Sequence, residues 1–146
     1  MENFEEIFEF IVIDEKATIP SRKRETDAGY DIGSIVDFEI LPGEFASIPT
    51  GLQISAPSGW YYTLEARSGM LLKGLSVSRG IIDATYTGDI YIIMHNHSKE
   101  TYEGKAGDRI AQIIPQKIRS IKFLKKGSFS PEYDIRGKSG WGSSGK

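Results

Sequence analysis

The 146-residue sequence predicts an all-β fold, and three observations carry that prediction. Apolar and polar residues alternate with period two over several short stretches, which puts one set on each face of a strand. Turn-forming residues break these stretches repeatedly. Only one short segment lacks alternation in a way that suits a helix.

Taken in order, the first expected strand covers residues 8–14, and the charged run 22–27 breaks the pattern after it. Residues 35–40 alternate cleanly before a Leu41-Pro42-Gly43-Glu44 turn, and a further strand is expected over 45–54. Pro57-Ser58-Gly59 makes the next turn. Beyond it Trp60, Tyr62, Leu64 and Ala66 share one strand face, and Tyr61, Thr63, Glu65 and Arg67 share the other, so Arg67 projects with the polar set. Residues 69–73 form the expected helix, with Ser68 placed to cap it. Strands near 90–95, 109–114 and 118–123 complete the pattern.

A net charge of -2, 39% hydrophobic and 26% charged residues fit one ordinary globular domain rather than a disordered or fibrous chain. Such a length buries roughly two-thirds of the unfolded surface in one core, expected over residues 1–126. The near-neutral balance argues against stable nucleic-acid binding. With no cysteine there is neither a disulfide framework nor a thiolate metal site, which fits a reducing compartment, the cytosol or nucleus. No apolar run approaches the ~18 residues of a membrane span, and the acidic amino terminus is not a signal peptide, so no membrane partner is expected.

Within the stretch 80–90, Asp83 is the one acid inside the apolar run between Gly80 and Gly88. A carboxylate buried there must be paired, hydrogen-bonded or used, since an uncompensated buried charge costs several kcal/mol. The expected local structure is a hairpin with Asp83 and Tyr86 projecting from its bend. That suits a general base beside an aromatic wall, and it equally suits an ordinary turn aspartate.

Residues 127–146 change character, with Gly137, Gly140, Gly142 and Gly145 in close order. A Gly/Ser-rich end is commonly a disordered terminus. Arg136 and Trp141 supply a phosphate fork and a stacking face among many free backbone N–H groups, the ingredients of an anion-binding lid. Residues 140–146 match most of a Walker A pattern, but no strand leads into them and no helix follows. His95 and His97 share a strand face without a visible third ligand and read as surface histidines.

Five stretches then combine: Ala28-Gly29-Tyr30-Asp31-Ile32; Pro57-Ser58-Gly59 running to Arg67-Ser68-Gly69; residues 80–88; Gly107-Asp108-Arg109-Ile110-Ala111-Gln112; and Arg136-Gly137 running to Gly145. In content and order the chain resembles the trimeric deoxyuridine triphosphatase (dUTPase) family from about Asp14 onward. The resemblance implies a jelly-roll-like β-barrel subunit and a homotrimer with active sites at subunit interfaces. It also implies hydrolysis of dUTP to dUMP and pyrophosphate with Mg²⁺, which limits uracil in DNA and supplies dUMP for dTMP synthesis.

Residue by residue, the resemblance makes Asp83 the general base and Arg136 a transition-state cation on a tail that closes over an active site of a neighbouring subunit. Arg67, Ser68, Gly69 and Gln112 would bind the triphosphate, and Asp31 would touch Mg²⁺ through water. Backbone groups of Val77 and Ser78, with Tyr91 opposite and Gly80 and Ile82 beside them, would read the uracil edge. Tyr86 would pack against deoxyribose, so that a 2′-hydroxyl loses hydration without gaining a partner. Trp141 would stack on uracil, with Gly142, Ser143 and Ser144 on the phosphates.

Three positions depart from the family pattern. Trp141 replaces a phenylalanine and Ser143-Ser144 replaces Ser-Thr; both keep the stacking face or the hydroxyl. Thr85 replaces an aspartate two residues after Asp83, removing a like charge from its neighbourhood. Two other functions fit the pattern less well. A dCTP deaminase needs a general acid–base glutamate near residues 89–93, where there is none. A dUTPase-like regulatory nucleotide-binding protein would not need Asp83, Arg67, Gln112 and Arg136 together.

Overall fold

The alternation resolves into ten strands among the described residues of the computed structural model, which are residues 5–141. They are β1 (Glu9–Val12), β2 (Tyr30–Gly33), β3 (Phe38–Ile40), β4 (Phe45–Ser55), β5 (Trp60–Ala66), β6 (Leu75–Val77), β7 (Ile81–Asp83), β8 (Asp89–Asn96), β9 (Tyr102–Gly104) and β10 (Arg109–Lys117). One helix, α1 (Ser68–Leu72), joins β5 to β6, and a single 3-10 turn covers Pro131–Tyr133.

Two four-stranded antiparallel sheets face each other, one in the order β1-β4-β8-β6 and the other β2-β10-β5-β7, with β3 and β9 as a separate ribbon. From β4 to β8 each successive strand changes sheet. That path gives a jelly-roll-like all-β subunit. The inward positions of both sheets fill one core: Ile48, Leu52, Ile54, Leu75, Ile90, Ile92 and Met94 come from the first, and Ile32, Tyr62, Leu64, Ala111 and Ile113 from the second. Fully burying an aliphatic side chain of this size is worth about 1.5–3 kcal/mol, so the two faces are held by area rather than by any single contact. Tyr62 keeps its phenol neutral, because burial, with Tyr86 nearby, raises it above the ordinary tyrosine range; its hydroxyl donates to the Ile54 carbonyl at 3.4 Å. Asn96 is buried at the end of β8. Its amide donates to the carbonyls of Ile40 and Glu100, each at 2.8 Å, tying the ribbon to the first sheet.

Several expectations change. The stretch expected as one strand over 35–40 pairs only from Phe38, and β2 is a strand that alternation did not announce. Ser68 does not cap α1: Arg67 occupies the N-cap, without a side-chain bond, and Ser68 is the first helical residue. The expected hairpin around Asp83 is a corner instead, since β7 pairs with β5 in one sheet while β8 pairs with β4 and β6 in the other. Residues 118–123 form no strand, and Ile121 and Phe123 are 73% and 91% exposed.

Candidate functional site

The order β2-β10-β5 brings together side chains that lie far apart in sequence. Gln112 in β10 stands opposite Asp31 of β2 on one side and Glu65 of β5 on the other, so three polar residues form a row across the sheet. Two residues past Glu65, Arg67 leaves β5 and turns back over this row. Its Nε meets Asp31 Oδ1 at 3.0 Å, and its Nη1 donates to the Arg109 carbonyl at 2.8 Å. Gln112 Nε2 donates to the Ala66 carbonyl at 3.0 Å.

The guanidinium is therefore fixed before any ligand arrives, and its side chain stays 38% exposed. Beside it, the amides of Ser68 and Gly69 precede the first helical bond, from Met70 N to the Arg67 carbonyl at 2.9 Å. Those two amides are unused by the helix and both residues are exposed. A fixed cation with free amide donors can bind a polyphosphate chemically.

Gly29 is what lets the row close. A Cβ there would overlap Gln112 Oε1 and lie 2.9 Å from Ile114 Cδ1. Gly29→Ala is expected to displace Gln112 from its bond to Ala66. The loss should be about 1–3 kcal/mol in urea unfolding. An unchanged unfolding midpoint would show that Gln112 is not held this way.

The second group lies elsewhere. Asp83 ends β7 opposite Tyr61, at the far end of β5 from Arg67. From Tyr61 to Arg67 is about 20 Å along the strand, at ~3.3 Å per residue. A base and a phosphate-binding arginine must act within a few ångströms of the same phosphoryl group, so one chain alone does not bring Asp83 to its own Arg67 cluster.

Asp83 is also not buried, as its apolar neighbours suggested. β7 is an edge strand, Asp83 is exposed, and Ile81 beside it is 69% exposed. Tyr86 follows in the turn closed by its amide on the Asp83 carbonyl at 3.1 Å. Its ring lies over Gly88, and its hydroxyl donates to the Asp89 carbonyl at 3.0 Å, which fixes the ring as a half-exposed wall.

Val77, Ser78 and Tyr91 sit where β6 parts from β8. Val77 is opposite Met94, and Ser78 N donates to the Ile93 carbonyl at 2.8 Å; beyond that point Ser78–Gly80 cross to the other sheet. Main-chain groups of an antiparallel strand point alternately to its two neighbours. Those of Ile93 and His97 face β6. Tyr91 is next in that series, so its N–H and C=O point into the gap that opens beyond Ser78. Gly80 and Ile82 line the strand that leaves this gap.

His95 and His97 have no metal-binding geometry. Their rings stack at 6.0 Å, and each Nε2 is within 2.7 Å of a serine hydroxyl, Ser78 and Ser76 respectively. In the tail, Arg136 and Trp141 are both exposed and reach neither group. Gly142, Ser143 and Ser144 lie outside the described residues.

For the metal, the donor chemistry decides. Among the described residues no group of three or more His, Cys, Asp or Glu side chains forms a cage. The available oxygen donors are single carboxylates such as Asp31. That set fits an Mg²⁺ ion held chiefly by phosphate oxygens and water. No helix of the described residues is long and apolar enough to cross a membrane.

Comparison with known proteins agrees over nearly the whole chain. The family model for dUTPase matches residues 15–145. A deoxyuridine 5'-triphosphate nucleotidohydrolase of Arabidopsis thaliana is 40% identical over 134 residues, covering 91% of this chain and 80% of the plant protein. A mutant of the Staphylococcus bacteriophage 80alpha dUTPase solved with dUpNHpp superposes with a TM-score of 0.84 at 29% identity, over 96% of this chain and 99% of that one. A mutant dUTPase from phage phi11 of S. aureus, described as revealing the coordination of a structural Mg(II) ion, has a TM-score of 0.77 at 28% identity, over 84% of this chain and 98% of that one. The chain belongs to the dUTPase family.

Proposed function

We propose that this protein is a dUTP diphosphatase that acts as a homotrimer, each active site combining the Arg67 cluster of one copy with the Asp83 edge of another. The observation that carries this reading is the Arg67–Asp31–Gln112 cluster: a guanidinium locked in place next to free amides, on a residue about 20 Å of backbone along β5 from the position that Asp83 of β7 faces. Association of copies resolves that separation, and the exposed apolar surface of β1 and β7 supports it.

In the shared site a water positioned by Asp83 attacks phosphorus, its proton passes to the carboxylate, and the anhydride bond between the α and β phosphates breaks to release pyrophosphate and dUMP. Arg67, Gln112 and the amides of Ser68 and Gly69 hold the polyphosphate, and Asp31 would hold Mg²⁺ through water. That ion would supply charge neutralisation for the leaving group. Uracil enters the gap between Ser78 and Tyr91, where main-chain N–H and C=O groups match its donor and acceptors, with Val77, Gly80 and Ile82 forming the walls. The ring of Tyr86 packs on deoxyribose and excludes a 2′-hydroxyl. A chain without cysteine suits the cytosol or nucleus. The test is incubation with each dNTP and Mg²⁺. Pyrophosphate from dUTP is expected; ammonia from dCTP, or no product, overturns the reading.

The tail over 127–146 completes the site in trans. Arg136 meets the phosphates and Trp141 stacks on uracil, with Gly142, Ser143 and Ser144 on the triphosphate. Ordering a glycine-rich segment costs on the order of 1 kcal/mol per residue or more, so closure depends on the charge-assisted bonds that the nucleotide provides. Arg136→Ala is expected to lower kcat by about 10²-fold or more, because its charge acts mainly on the transition state. Trp141→Ala is expected to raise KM up to about tenfold. Trp141 fluorescence should quench on addition of dUpNHpp with Mg²⁺, over a constant background from Trp60, which is packed edge-on against Phe8 at 5.9 Å. A truncation after Ser130 that left kcat and KM unchanged would return the tail to a passive terminus.

A further inference from the structure

We infer that Arg79 and Glu65 form a latch that positions the base-reading segment, an inference that rests on the proposed role of that segment in binding uracil. Arg79 lies between Ser78 and Gly80, in the short crossover that leaves the first sheet after β6 and enters the second at β7. The start of the crossover is tied to β8, where Ser78 N donates to the Ile93 carbonyl at 2.8 Å and the Ser78 hydroxyl lies 2.7 Å from His95 Nε2. Beyond Ser78 the packing is sparse, and a Cβ at Gly80 would meet nothing within 4 Å. Arg79 Nε meets Glu65 Oε1 at 2.7 Å, and the same oxygen accepts the hydroxyl of the buried Thr63 at 3.3 Å. Glu65 in turn stands opposite Gln112 in the row that carries Asp31. One ion pair thus fastens the uracil gap of the subunit to the end of β5 that bears the phosphate cluster.

The pair is open to solvent, with side-chain exposures of 60% for Arg79 and 32% for Glu65. Exposed pairs add little to global stability. The effect of the latch is therefore local: recognition through backbone groups fails when those groups drift by about 0.5 Å or more. Arg79 and Glu65 are positioning residues, acting on substrate affinity through Ser78 and Gly80.

The experiment compares Arg79→Ala, Glu65→Gln, their double variant and the charge swap Glu65→Arg with Arg79→Glu. Each single variant is expected to raise the KM for dUTP about fivefold with kcat within about twofold, and the double is expected to be no worse than either single. The swap should recover most of the affinity. In ligand-free protein the amides of residues 78–82 should exchange hydrogen faster in both single variants, at an unchanged melting temperature. If Glu65→Gln leaves KM unchanged or lowers it while Arg79→Ala raises it, Arg79 contacts the nucleotide directly and the latch is wrong. Unchanged exchange in both variants also overturns it. If the wild type releases no pyrophosphate from dUTP, the enzymatic reading fails on its own, and the exchange measurement still decides the latch.

Discussion

Asp83→Asn is expected to bind dUpNHpp with Mg²⁺ as the wild type does, and to hydrolyse dUTP about 10²- to 10⁴-fold more slowly. The amide has the shape of the carboxylate, and Asp83 is exposed at the end of an edge strand, so the substitution disturbs no packing. What it removes, on the proposed mechanism, is the acceptor for the proton of the attacking water. The neighbouring Thr85 is exposed and carries no charge that could replace it. Pyrophosphate release under single-turnover conditions, beside fluorescence titration with the analogue, separates the two effects. A rate within about threefold of wild type would remove Asp83 from the chemistry. Equal loss of binding and rate would make it a binding residue instead.

Much of the fold was legible because β4, β5, β8 and β10 each present one face to the core, and period two is what such a strand writes into its sequence. β2 was not, since Tyr30–Gly33 is four residues long with Ile32 and Gly33 both buried, which erases the alternation. Residues 118–123 show the opposite case. They set Ile118, Ile121 and Phe123 among polar residues, but apolar residues report only that a surface wants cover, and within its own chain Phe123 stays 91% exposed. The same holds around Asp83. The isoleucines at 81 and 82 read as strand core, yet Ile81 lies at a sheet edge and is 69% exposed. The turn between Asp83 and Tyr86 was local and visible. Which sheet each arm joins is set by pairings with β5 and β4, far away in sequence, and no local pattern encodes them. At the site, the polar face of β5 announced Arg67, but its meeting with Asp31 depends on the order β2-β10-β5. The Arg79–Glu65 pair gave no signal at all, being two ordinary surface charges until the crossover sets them opposite each other.

Mixing two inactive proteins, Asp83→Asn and Arg67→Ala, is expected to restore activity. On the proposed mechanism each homotrimer carries a defect in all of its sites, the first lacking the base and the second the phosphate cation. If both groups of a site came from the same chain, every site in a mixed trimer would still hold one defect, and mixing would recover nothing. About 20 Å of β5 separates the two residues within a chain, so in the proposed shared site Arg67 comes from one copy and Asp83 from the next. Going round a mixed trimer, one interface of the three then joins an intact Arg67 to an intact Asp83. Random assembly of equal amounts makes about three-quarters of the trimers mixed, so roughly a quarter of the wild-type rate should return. The two variants are unfolded together in urea, refolded, and assayed for pyrophosphate from dUTP, with each variant refolded alone as the control. Light scattering on every sample should give three times the subunit mass, because Arg67 lies partly exposed at the end of β5 and its loss leaves the core intact. No recovery in a refolded mixture of trimeric mass would mean that the site is built within one chain. A monomeric mass with full wild-type activity would end the shared-site model altogether.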